Sequence, residues 1–223
     1  MGKITKIVKA DDIGDMGIGA MIVFIAMVLV AGIAASVLVQ TANRLEIQAM
    51  QTGQETIGEV ATGVSVSNIF GHKSTGDTTL DNMTIAIQPR SGSLSIDLEQ
   101  TYIELSDSNK KVVLMYEDDE FIDTGSINGN IFYQDFSDNL NAIEFGVIVL
   151  EDADSSLSSS TPVINQGDMV LLTMRLDLIF SGTSGLETRT DVWGLVQPEE
   201  GAPGVFAFTT PASFAADNVF LLY

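Results

Sequence analysis

Cysteine is absent from the 223 residues, which excludes disulfide staples, thiolate-bound zinc and cysteine nucleophiles. Histidine occurs once, at position 72, so a multi-histidine metal site is excluded and imidazole acid–base chemistry has a single candidate. Basic residues are scarce: 10 Lys+Arg stand against 30 Asp+Glu, for a formal net charge of −20. Nucleic acid is thereby excluded as a main partner, because a phosphate backbone needs a basic surface to release its counterions. No proline occurs between residues 15 and 62, and no charged residue between Met16 and Asn43. Phosphate-cradling loops, a G-x-S-x-G elbow and paired catalytic carboxylates are also missing, and the chain reads as a non-enzyme.

What is present is segregated along the chain. Lys3, Lys6 and Lys9 precede Asp11 and Asp12, and then Ile18–Val39 reads IGAMIVFIAMVLVAGIAASVLV. As a helix this run spans roughly 33 Å, enough for a bilayer core of about 30 Å. The early lysines and the acidic remainder fit an N-in, C-out orientation. A secretory signal has a shorter apolar stretch and then a small-residue cleavage site. A plain anchor, and a subunit whose helix leaves the membrane to pack with copies of itself, both satisfy the length. Small residues favour the second: Gly17 and Gly19 open the run, and Gly32/Ser36 and Ala31/Ala35 are small-xxx-small pairs. Beyond Val39 the pattern continues as an amphipathic helix through Ala42, Leu45, Ala49, Ile57, Val60 and Val64. A helix over 15–62 exceeds what any bilayer needs and suits the core of a filament.

From Met83 the period shifts to alternation. Strands are expected at Met83–Gln88, Thr101–Leu105, Val112–Tyr116, Ala142–Leu150, Met169–Phe180, Thr190–Val196, Val205–Thr209 and Val219–Tyr223, separated by Gly-, Ser- and Asn-rich turns. This predicts an α+β chain: a long N-terminal hydrophobic helix, then an antiparallel β-sandwich or barrel of immunoglobulin-like kind, with Trp193 in its core. The expected divisions are a leader (1–14), the filament-core or transmembrane helix (15–62), a linker (63–82) carrying a solvent-exposed His72, and an outer β domain (83–223). Glu151, Asp152 and Asp154 place alternating oxygen donors in a loop, an arrangement suited to structural Ca²⁺ or another divalent cation; no cofactor is otherwise required. Glu117-Asp118-Asp119-Glu120 with Asp123 is a second acidic cluster. Asn82-Met83-Thr84 is the one N-glycosylation sequon.

Gly17-Ile18-Gly19-Ala20-Met21-Ile22-Val23-Phe24-Ile25-Ala26-Met27-Val28-Leu29-Val30-Ala31 resembles the N-terminal motif of archaeal flagellins (archaellins). Residues 35–38 and 49–53 continue the likeness, and 145–150, 164–170, 197–204 and 208–211 resemble the family's C-terminal half. The resemblance implies a precursor in the cytoplasmic membrane and removal of a basic leader between Gly14 and Asp15 by a prepilin-type peptidase. It further implies delivery by a membrane assembly platform into an extracellular homopolymer, turned for motility by a separate motor. An outer-domain cation and an N-glycan on Asn82 fit the same family. Here the positions just before the junction, Asp12 and Ile13, are not the usual basic ones. Bacterial type IV pilins carry Glu at the fifth mature position, which here is Gly19. An archaeal adhesion pilin or a membrane-tethered binding module is the alternative reading.

Overall fold

The computed structural model describes residues 4–76, 78–123, 125–126, 129–132, 139–180, 182, 184–214 and 218–223; side chains are described from residue 14, Asp15 excepted. Helix α1 runs Ile4–Ala61. Among the described residues eleven strands follow: β1 (Val64–His72), β2 (Asn82–Pro89), β3 (Ile96–Asp97), β4 (Tyr102–Ser106), β5 (Lys111–Asp123), β6 (Glu144–Glu151), β7 (Val163–Ile164), β8 (Met169–Arg175), β9 (Asp191–Gln197), β10 (Gly204–Thr209) and β11 (Val219–Leu221). A single helical turn, α2 (Leu176–Ile179), follows β8. The chain forms two units, 1–54 and 55–223.

The first unit is the greater part of α1. Its β-branched residues have reduced helix propensity in water, but the absence of proline leaves every backbone donor available to the ladder. In lipid a helix satisfies all those groups within one segment. Every described side chain through Ile57 is exposed.

In the second unit α1 ends as Thr62 N–H donates to Gly58 O at 2.8 Å. Nine strands then form one sheet in the order β10-β9-β4-β5-β6-β8-β2-β1-β11, and β3 pairs with β7 apart from it. The sheet curls towards closure. Val64 N–H donates to Ala202 O at 3.1 Å and Ala202 N–H to Thr62 O at 2.9 Å, so the segment leading into β10 grips the start of β1. The core inside the curl includes Phe145, Phe206, Ile69, Met83, Ile85, Ile103 and Leu114, all 2 % exposed or less. Strands β9 and β10 alternate buried and exposed positions, as half-covered strands do. Strands β2, β6 and β8 are buried in unbroken runs, because Ala86, Ile148 and Leu171 form a second, smaller cluster on the other face.

Several expectations are corrected. The expected 63–82 linker contains β1, a nine-residue strand; its Val64, Ile69 and Phe70 supply sheet contacts that the surrounding Ser, Asn and Gly mask. The sheet is not wholly antiparallel: β5 and β6 run parallel, with a bulge in β5 between Tyr116 and Phe121. Met169–Phe180 divides into β8 and α2, since Leu176 and Asp177 N–H both donate to Asp81 O and turn the chain away from the ladder. Trp193 is 47 % exposed, not core: it occupies an outward position in the alternation of β9. The barrel form describes the curled sheet better than two stacked layers.

Candidate functional site

From Met16 to Val39 the large apolar side chains are exposed on all sides, Phe24 by 69 % and Leu38 by 70 %. A Cβ added at Gly17, Gly19 or Gly32 would meet no atom within 4 Å. Ala31, Ala35 and Ser36 share this exposed surface, and Gln40 Nε2 donates to Ser36 Oγ at 3.5 Å. Such a surface requires lipid or other helices around it, and small residues lower the distance at which a second backbone can approach. α1 passes through Gly14 and Asp15 without a break.

The loop after β6 gathers carboxylates. Asp152, Asp154 and Asp168 place an oxygen each within 4.8 Å of one another. Asp152 accepts from Ser156 N–H (3.2 Å) and Leu157 N–H (3.1 Å). Asp154 accepts from Ser156 N–H at 3.1 Å and Asn165 Nδ2 at 2.9 Å. Asp168 is buried and accepts from Ala153 N–H (3.1 Å) and Asn165 N–H (2.8 Å). The Ser156 side chain, foremost among the hydrogen bonds, holds the Asp154 carboxyl below its ordinary range against a smaller opposing effect of burial. Three carboxyl groups converge with no basic side chain paired to them among the described residues, so the donor set fits a hard divalent cation. The expected set is corrected in one member. Glu151 lies at the end of β6, outside the cluster, and Asp168 takes its place. Asp168 follows Gly167 (φ +106°), whose turn folds the 165–168 segment back onto 152–156. An Asp between a Gly turn and an apolar strand was the sequence signal for it.

The acidic bulge of β5 is a second group, with Glu117, Asp118 and Asp119 oxygens within 4.8 Å. Burial first, then Glu144, Asp118 and Asp119, raise the Glu117 carboxyl. Burial likewise raises Glu120, partly offset by its hydrogen bond with Asn139. Tyr116 is pushed up to about 12, by burial and then by Asp118 and its acidic neighbours.

His72 is not the exposed loop residue expected. It ends β1, half-buried; its Nδ1 is 2.9 Å from Asp81 Oδ1, and its ring stacks on Phe132 with centroids 5.1 Å apart. Ser74 Oγ donates to the other Asp81 oxygen, and Arg175 pairs with Asp177 at 2.6 Å. These groups line a polar recess of about 440 Å³. Ser74 bonds Asp81 rather than the imidazole, so no serine–histidine pair forms here, and the network clamps β1 to the turn before β2. Asn82 lines the same recess from β2, opposite His72, while the sequon's Thr84 is fully buried opposite Thr173 of β8.

A long helix apolar on every side, followed by an acidic curled-sheet domain, marks a structural subunit built to assemble. The pattern of archaeal-type flagellin matches residues 14–208, and the chain belongs to that family. It is 45 % identical over 203 residues to Flagellin B2 of Methanocaldococcus jannaschii, covering 90 % of each chain. It is 39 % identical over 206 residues to Flagellin B1 of Methanococcus voltae, covering 92 % of this chain and 94 % of that one. The crystal structure of flagellin FlaB1 from Methanocaldococcus jannaschii superposes with a TM-score of 0.65 at 32 % identity, over 73 % of this chain and 97 % of that one. The archaeal flagellum of Methanospirillum hungatei shares the fold at a TM-score of 0.62 and 14 % identity, over 93 % of this chain. The family is structural, and the chain is a subunit of the archaeal flagellum (archaellum).

Proposed function

We propose that the chain polymerises through α1, with the helices as filament core and the β domain as the extracellular sheath. The observation that carries this reading is the unbroken exposed apolar surface from Met16 to Val39. A precursor holds that surface in the cytoplasmic membrane. A prepilin-type peptidase cuts between Gly14 and Asp15, a position supported by the family match starting at Gly14. A membrane platform then transfers the helix from lipid to neighbouring helices, and a separate motor turns the filament. Gly17, Gly19, Ala31, Gly32, Ala35 and Ser36 allow the close helix approach.

Removal of residues 1–14 takes away three Lys and two Asp, leaving 7 basic against 28 acidic residues, and copies carrying −21 repel one another through their outer domains, so core packing drives assembly and salt or bound cations assist it. A divalent cation at Asp152, Asp154 and Asp168 would pin the 152–168 loop by cancelling the mutual repulsion of three carboxylates. An N-glycan on Asn82 would be attached before β2 docks, since Thr84 is inaccessible afterwards. The test is to substitute G32L or A35L and shear filaments from cells. Processed subunit starting at Asp15 and retained in membranes, with filaments lost, is the expected result. Normal filament yield from both variants would overturn helix packing at these positions.

A further inference from the structure

Between Met16 and Gln54 the chain carries two charges, Arg44 and Glu46. Both side chains are exposed, and among the described residues neither makes a side-chain hydrogen bond or ion pair. Apolar side chains accompany them: Leu45 is 64 % exposed, Ile47 57 % and Met50 60 %. Two helical steps of roughly 100° set Arg44 and Glu46 about 200° apart around α1, displaced about 3 Å along the axis. Residues spaced i, i+2 do not face each other, so they have no route to pairing within one helix.

We propose that Arg44 of one copy pairs with Glu46 of the next, a head-to-tail ion pair that fixes the lateral register of the helices; this rests on the filament reading above. A helix with a cation on one side and an anion on the other, at nearly one height, presents complementary charges to parallel copies on both sides. Such a contact is heterologous: each copy uses two different patches, so the contact repeats along an open assembly and does not close on itself as a two-fold dimer would. Neighbouring helices packed on both sides of α1 at this level would take both charges out of water, and a buried charge without a partner opposes burial strongly. Copies displaced from the register would bury the two charges apart. The pair therefore supplies the register that a uniformly apolar surface lacks, as charged positions flanking coiled-coil seams do.

The test uses the full chain as the only flagellin in an archaeal cell, comparing unmodified protein with R44E, E46R and R44E/E46R. The readouts are subunit in sheared filaments and processed subunit in membranes. R44E and E46R are each expected to lower filament yield by at least about tenfold while processed subunit accumulates in the membrane, and the double variant to recover most of the yield. Normal filaments from the single variants, or no recovery in the double variant, would overturn the pair. Recovery of R44E by E55R or E59R instead would also overturn it, by showing a different axial register. An unmodified chain that never leaves the membrane would sink the filament reading itself, a separate result.

Discussion

Gly201 occupies the point where the curled sheet is pinned to the end of α1, and G201A tests that joint quantitatively. Its φ of +95° lies in the left-handed region, and a Cβ built there would stand 2.2 Å from Thr62 O and 2.5 Å from Thr62 C. Both are backbone atoms, so no side-chain rotation relieves the contact. The conformational cost for alanine is about 1–2 kcal/mol. Displacing the strand also weakens the Ala202 N–H to Thr62 O bond (2.9 Å) and the Val64 N–H to Ala202 O bond (3.1 Å), at about 1 kcal/mol each. The total is about 3–4 kcal/mol, a fall in Tm of roughly 6–16 °C for a domain of this size. Denaturant and thermal unfolding of the full chain in detergent, followed by Trp193 fluorescence, would measure it. G76A is the internal control: Gly76 has φ +100° but no atom within 4 Å of its added Cβ, so it carries the conformational cost alone. Equal effects for G201A and G76A, or a loss under about 1 kcal/mol for G201A, would refute the reasoning that this contact holds the sheet closed.

The acidic bulge of β5 gives a pH dependence of defined sign. The folded Glu120 carboxyl is raised above its ordinary value of 4.5, so the unfolded chain loses that proton first and stability falls as pH rises through the window above 4.5. E120Q is expected to raise stability at pH 7 and to flatten that slope; an unchanged slope in a pH series of denaturation midpoints would count against it. Asp154 acts oppositely: its lowered folded pKa gives a contribution present above its ordinary value of 3.8 and lost on acidification below it. If a divalent cation binds the loop cluster, a chelator lowers the Tm of the unmodified chain and leaves D154N unmoved; a D154N chain still sensitive to chelator would remove Asp154 from the site. F145A, which empties a fully buried position of the larger core, is expected to destabilise the β domain by about 3–5 kcal/mol while leaving the helical signal of α1 in detergent intact. Loss of both signals together would show the two units to be one cooperative structure.

The sequence alone determined the helix and its character. A run with no charge from Met16 to Asn43 and no proline from 15 to 62 leaves one backbone solution in lipid or in a helical assembly, and both the length and the small-residue positions are local facts. The strands with clean alternation, β9 and β10, and the continuous apolar run of β6 were equally legible, because burial on one face or two writes itself into the residue order. Tertiary structure decided the rest. β1 has a diluted pattern, and pairing with β2 and β11 makes it a strand. The parallel joining of β5 to β6 depends on which strands meet, and no local propensity encodes that. Asp168 joined the carboxylate cluster through a Gly167 turn spanning a sequence separation that no spacing rule covers, while the adjacent Glu151 was carried away by the direction of β6. His72 became a clamp for the same reason: Asp81 and Phe132 reach it only once β1 and β2 are paired and the later loop folds over them. Composition and period fix what a segment can be; a partner distant in sequence fixes where its side chains end and which charges they meet.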